Sequence, residues 1–312
     1  MNLRIVPVLA IASFLTACPS PPPKQQAGGT DAEGRAAGRA PALTVKGSDT
    51  MVILSQRVAE LYMAKNPGKT VQVTGGGSGT GIAALINGTT SIANASRPMK
   101  ASEKAQVLQR RGAPATEYPV ALDGLAVYVH ESSPVQALSV QQIAAIYKTE
   151  ITNWKEVGGP DARIVIYGRE NNSGTYSYFK EVVLEEEDFA PETQTLPGTA
   201  AVVNAVSKDR NSIGYGGIAY GSGIRAIAVK KDADAPAVLP TQENVVAGTY
   251  PLSRYLLMYT AGEAAGDAKA FLDFTLSDEG QKVAETVGYY PLPKKEAGTA
   301  PAIPSEDAAA GE

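Results

Sequence analysis

Four short loops of this 312-residue sequence carry the same chemistry, side-chain hydroxyls among small or polar residues just ahead of a stretch with helical periodicity. They are Gly47-Ser48-Asp49-Thr50, the run from Gly75 through Ser78 to Gly81, Ser96-Arg97-Pro98, and Arg169 through Ser173-Gly174-Thr175. A helix start presents backbone N–H groups without intrahelical partners at the positive end of its dipole. Together with hydroxyl donors, such a set would hold an anion. Arg97 and Arg169 add cations whose planar forks can meet two oxygens at once. Any one of these hydroxyls is accounted for as a helix N-cap, and either arginine as half of a surface ion pair. Four loops sharing the chemistry are harder to explain that way.

Other chemistries fit less well. The glycines of 75–81 are not a P-loop, because no Lys-Ser/Thr pair follows the last of them. They are not a dinucleotide fingerprint either, since no acidic residue sits about twenty positions on at a strand end. One histidine, His130, and one cysteine, Cys18, cannot supply a hydrolase base or a Cys/His metal set. No catalytic group, metal or cofactor is expected. Trp154 reads as a structural anchor and Glu185-Glu186-Glu187-Asp188 as a solvated helix end. The formal net charge of −4 argues against nucleic acid as partner. It leaves a small anion open, because local dipoles and one or two cations suffice for that.

The elements that must position the loops alternate between strand and helix, which predicts an α/β fold. Expected strands are Leu43-Thr44-Val45, Thr70 to Thr74, Ser91 to Ala95 and Arg163 to Tyr167. Expected helices carry Met51, Leu54, Val58, Leu61 and Tyr62, then Ile82, Leu85 and Ile86, then Ser102 to Arg111, then Tyr176 to about Glu187. In an open α/β sheet the turns after such strands gather at one end, where ligands bind. Units of this kind on both sides of Asp123 predict two lobes facing a cleft. Asp123 to His130 and Tyr255 to Tyr259 read as crossings between them, and Ala264 to Val287 as helix packed back on the first lobe.

The ends of the chain read differently. Residues 1–17 have the n-region and short apolar core of a signal peptide, and too few apolar residues to span a bilayer comfortably. Leu15-Thr16-Ala17-Cys18 resembles the bacterial lipobox, in which the cysteine is acylated. Residues 18–42, rich in Pro, Gly, Ala and Gln, read as a flexible tether and 297–312 as a frayed tail. Lobe 1 is expected over 43–122 and 253–296, lobe 2 over 123–252, in a monomeric protein.

Taken in order, Gly47-Ser48-Asp49-Thr50, Gly75 to Gly81, Asn94 to Pro98, Ala121 to Gly124, Ile151 to Trp154, Arg169 with Ser173-Gly174-Thr175, and Ile213-Gly214-Tyr215 resemble one family. It is the phosphate-binding proteins of bacterial high-affinity phosphate ABC transporters. The resemblance runs from about Leu43 to Pro293. It implies a two-lobed periplasmic-binding-protein fold that closes on inorganic phosphate and docks on a membrane permease. It also implies phosphate contacts from Ser48 or Thr50, Ser78, Arg169 and Ser173-Gly174-Thr175; Ser96 and Arg97 are further candidates on the loop chemistry alone. One departure stands out. Some relatives place in the third loop an aspartate that accepts the proton of phosphate, where this chain has Ser96-Arg97. Asp49 is then the expected acceptor, and Asp123 the alternative. Rival readings are a receptor for another tetrahedral oxyanion such as sulfate, a surface sensor or adhesin, and a secreted phosphatase.

Overall fold

Alternate residues of Leu43–Gly47 are buried, the pattern of a strand covered on one face, and this segment is β1. The computed structural model describes residues 42–221 and 223–293. Cys18, the segments 1–17 and 297–312, and all but the last residue of 18–42 lie outside the described residues. After β1 a single 3-10 turn, Asp49–Met51, runs into α1 (Val52–Lys65). There follow β2 (Val71–Thr74), α2 (Ser78–Ile86), β3 (Ile92–Ala95) and α3 (Ala101–Arg111). β1 pairs in parallel with β2 and with β3, so the three following turns emerge at the same end of the sheet.

The chain continues through β4 (Ala115–His130), β5 (Ala137–Ser139), α4 (Val140–Tyr147), β6 (Val165–Arg169), α5 (Gly174–Val182) and β7 (Gln194–Leu196). It ends through α6 (Gly198–Val206), β8 (Ser212–Gly217), β9 (Ile224–Ala226), β10 (Ala228–Lys230), α7 (Gln242–Val246), β11 (Ser253–Ala261), α8 (Gly266–Leu276) and α9 (Asp278–Thr286). Eight strands hydrogen-bond in the order β2-β1-β3-β11-β4-β8-β6-β7, and β9 joins β4.

β4 holds this mixed sheet together. Residues 115–124 pair antiparallel with β11, and residues 125–129 pair with β8. The strand begins eight residues earlier than its apolar run suggests, because β11 offers a partner along that whole length. β11 itself does not cross: it pairs only with β3 and with the 115–124 part of β4. The chain regains that side through a loop whose Tyr250 and Leu252 are buried.

Separate cores serve the two halves of the sheet. Val45, Leu54, Val58, Ile92, Leu256 and Phe271 belong to one. Val127, Ile143, Trp154, Phe179, Ile213 and Tyr215 belong to the other. Phe179 stacks on Tyr215 with ring centroids 4.0 Å apart, which fixes the tyrosine beneath the end of β6. Trp154 is an anchor, its indole N–H donating to Asn211 O at 2.8 Å.

Three further boundaries differ from the sequence expectation. β6 ends at Arg169, so the arginine closes the strand instead of following it. α5 starts at Gly174, where Ser173 accepts the Tyr176 N–H as its cap, and ends at Val182. The acidic run beyond it forms a turn in which Glu185 and Glu186 adopt left-handed φ of 50° and 67°. Finally, 264–287 is two helices, broken where Ser277 caps α9. They pack on α1, with Phe271 edge-on to Tyr62 at 5.5 Å.

Because Phe271 is fully buried between α8 and α1, Phe271→Ala should cost about 3–5 kcal/mol of stability. Chemical denaturation should show a lower midpoint with an unchanged slope.

Candidate functional site

The four loops meet, and glycines set how closely. A Cβ at Gly47 would lie 2.1 Å from Asn94 O, so only glycine lets the first loop lie against β3. At Gly174 a Cβ would come within 2.3 Å of Ser78 Oγ, so the first residue of α5 must lack a side chain for α2 to approach. The Gly77 loop abuts Asn172 in the same way, and Gly79 N donates to Asn172 O at 3.0 Å.

Five hydroxyls converge where these loops touch. Ser48 Oγ donates to Ser96 Oγ at 3.0 Å, and Ser78 Oγ lies 3.5 Å from Ser96 Oγ while accepting the Ser96 N–H at 3.1 Å. Thr175 Oγ1 is 2.8 Å from Thr50 Oγ1 and 3.4 Å from Ser96 Oγ. All five residues are buried. None of these five hydroxyls caps its helix; among the candidates only Ser173 does. The cluster therefore joins β1, β3 and α2 on one side of the sheet to α5 on the other.

Two arginine–carboxylate pairs border it. Arg169, 2% exposed, donates through Nη2 to Asp49 Oδ2 at 2.9 Å and through Nη1 to Thr199 Oγ1 at 2.9 Å. Its buried Nε has no hydrogen-bond partner. Burial lowers the Arg169 pKa from its ordinary value, the Asp49 charge opposes that, and the neighbouring Arg254 adds to it. Asp49 Oδ1 accepts the Gly76 N–H at 2.7 Å, which ties the glycine loop to the same carboxylate. Tyr220 donates to Asp49 O at 2.8 Å, and burial pushes its phenol up to about 12. The second pair is Arg254 with Asp123, at 2.8 Å.

The structure thus brings Ser48, Thr50, Ser78, Ser96 and Thr175 together, with Ser173-Gly174 and the Asp49–Arg169 pair beside them. Arg97 is not brought in. Its Nη1 and Nη2 each donate to Glu103 at 2.8 Å, and Nη1 also donates to Pro98 O. Nor does Ser96 start a helix, since α3 begins five residues later behind Lys100. Asp49 sends its oxygens to Arg169 and Gly76, and Asp123 receives Arg254 and the Ile218 N–H. Sequence reasoning missed Arg254, Thr199 and Tyr220. The only signal for Arg254 was a cation opening an otherwise apolar strand.

A mixed sheet flanked by helices gathers buried hydroxyl and guanidinium donors where its two halves meet, an arrangement suited to holding an anion. Residues 24–279 match the PBP superfamily domain, so the chain belongs to that superfamily. Within it the chain is a member of the PstS family of phosphate-binding proteins. It is 37% identical over 278 residues to the phosphate-binding protein PstS of Pseudomonas aeruginosa, covering 84% of this chain and 86% of that protein. A Clostridium perfringens structure, described as a phosphate ABC transporter substrate-binding protein with bound phosphate, matches with TM-score 0.73. It is 32% identical and aligns over 81% of this chain and 100% of its own. An ABC-type phosphate transport receptor from Vibrio cholerae matches with TM-score 0.65 and 31% identity, over 80% of this chain and 100% of its own.

Arg97 and Glu103 make a stability element with a definite pH signature. Burial raises the Glu103 carboxyl, but the Arg97 hydrogen bond, the Lys100 N–H and the two positive charges outweigh it, leaving the pKa below its ordinary value. A depressed folded pKa gives stability that is present above the unfolded value and lost as pH falls through the folded one. Glu103→Gln should therefore lower stability at neutral pH and flatten its decline below about pH 4. Melting curves across that range check it.

Proposed function

We propose that this chain captures inorganic phosphate between two lobes and delivers it to the membrane permease of an ABC importer. The observation that carries this reading is the cluster of five buried hydroxyls drawn from both sides of the sheet, beside the starts of α2 and α5. Neutral hydroxyls facing helix N–H groups and a buried guanidinium match the acceptor-rich surface of a tetrahedral oxyanion. The printed names of the relatives point to phosphate among such anions.

Lobe 1 comprises 43–122 and 253–296, and lobe 2 comprises 123–252, with β4 as the strand that passes between them. Phosphate bound in the closed cleft would replace the mutual hydroxyl contacts, its oxygens accepting hydrogen bonds from Ser48, Thr50, Ser78, Ser96, Ser173, Gly174 and Thr175. Asp49 fixes the Arg169 fork on the glycine loop, a positioning role that its two N–H partners favour over acceptance of the phosphate proton. Cys18 carries the lipid that holds the receptor at the membrane, on the extracytoplasmic side.

Calorimetric titration of phosphate-stripped protein tests the assignment. Tight phosphate binding with sulfate weak or silent is expected, and the opposite order would make this a receptor for another oxyanion. Arg169→Ala should weaken phosphate binding by roughly thirtyfold to a few thousandfold, because losing one partner of a desolvated charge-assisted contact costs ~2–5 kcal/mol. Arg169→Lys should recover only part, a point charge replacing a fork. Undiminished affinity in Arg169→Ala would end the proposed site. For the anchor, Cys18→Ser should move the protein from the detergent to the aqueous phase with phosphate binding intact. Identical partitioning of the two proteins would exclude the lipid.

A further inference from the structure

Arg254 lies at the residue where β4 passes from one partner to the other. Its register partner on β4 is Asp123, and Leu125 is the first residue of β4 paired with β8. Arg254 is 4% exposed and Asp123 fully buried. Nε and Nη2 both reach Asp123 Oδ2, at 2.9 and 2.8 Å, while Asp123 Oδ1 accepts the Ile218 N–H at 3.0 Å. The Tyr178 ring lies 5.2 Å from the guanidinium carbon, and its hydroxyl donates to Ser253 O at 2.9 Å, holding the fork flat.

A tie between two strands would need nothing beyond Asp123, and buried pairs of that kind add little stability over apolar side chains. The remaining N–H groups go elsewhere. Nη1 donates to Ser96 O at 3.1 Å, and Nη2 donates to Thr175 Oγ1 at 3.1 Å. Thr175 Oγ1 is the atom that also meets Thr50 and Ser96. Arg254 is therefore one hydrogen bond from the middle of the hydroxyl cluster, and it reaches loops on both sides of the sheet. Its charge is also felt by Arg169.

We propose that Arg254, held flat and charge-balanced by Asp123, is the second anion-binding cation of the site, the place for which the sequence offered Arg97. The assignment rests on the phosphate reading. With Asp49 opposite Arg169 and Asp123 opposite Arg254, both forks stay oriented while the site carries no excess charge of its own. An incoming tetrahedral oxyanion takes the Nη2 edge from Thr175 and leaves the Asp123 contact in place.

Phosphate titration of three proteins, with the unliganded melting temperature of each, tests this. Arg254→Gln combined with Asp123→Asn leaves the net charge of the site unchanged and can keep a side-chain amide–amide hydrogen bond between β11 and β4. It should melt near the wild type yet bind phosphate roughly thirtyfold more weakly or worse. Arg254→Lys keeps a cation against Asp123 but cannot span Asp123, Ser96 and Thr175 together, and should lose about tenfold or more. Wild-type affinity in the folded double variant would make the pair a strand tie and overturn the proposal. Should that variant not fold, wild-type affinity in Arg254→Lys overturns it instead. Wild-type protein that ignores phosphate would remove the phosphate reading and this assignment together. Tight binding by the wild type and by both variants would remove Arg254 alone.

Discussion

Polar atoms buried between the two halves of the sheet have no bulk water to turn to, so nearly all must find a partner in the protein or in a ligand, Arg169 Nε being an exception. That requirement shapes the middle of the molecule. Ser48, Ser78, Ser96, Thr50 and Thr175 satisfy one another in a single cluster. The two guanidiniums beside them are each matched to a carboxylate. Removing one member of a buried pair would strand a charge, which is far costlier than the pair is stabilising. The surrounding backbone is arranged to keep the matches, with Gly76 and Ile218 each giving an N–H to one of those carboxylates.

Close approach is the second condition, and it falls on a few glycines. The hydroxyls can meet only if α2, α5 and the first loop come nearer than any side chain at Gly47 or Gly174 would allow. Two glycines of the 75–81 run serve the same approach: Gly77 lies against Asn172, and Gly79 donates its N–H to the Asn172 carbonyl. Burial and approach thus reinforce each other, since the tighter the loops pack, the drier the cluster becomes and the stronger each polar contact within it.

A site built this way suits the proposed ligand. Neutral hydrogen bonds contribute only about 0.5–1.5 kcal/mol each, so hydroxyls bonded to hydroxyls are readily exchanged for an oxyanion. Charge-assisted bonds from a guanidinium to that anion are roughly twice as strong. Two balanced arginines can accordingly favour an anion in a protein whose net charge is negative. Membership of the PstS family and the arrangement of donors point the same way while resting on independent grounds.

Much of this was legible in the residues. Strand and helix alternation follows from local hydrophobic periodicity, and parallel β1, β2 and β3 put their turns at one end. Hydroxyl loops far apart in sequence could therefore be assigned to one place. Arg169 was legible for the same reason, lying at the end of β6 ahead of the helix that Ser173 caps. The fate of the other arginines was not. Arg97 adjoins Ser96 in the chain, yet Glu103 at the start of α3 captures both of its terminal nitrogens. Arg254 reaches Asp123 across 131 residues of chain, through the antiparallel register of β11 on β4. Local sequence determined which elements form and where their polar ends lie, because backbone propensity and periodicity act over a few residues. Only the tertiary structure decided which charge faces which, because that choice depends on strand register and on competition among partners distant in the chain.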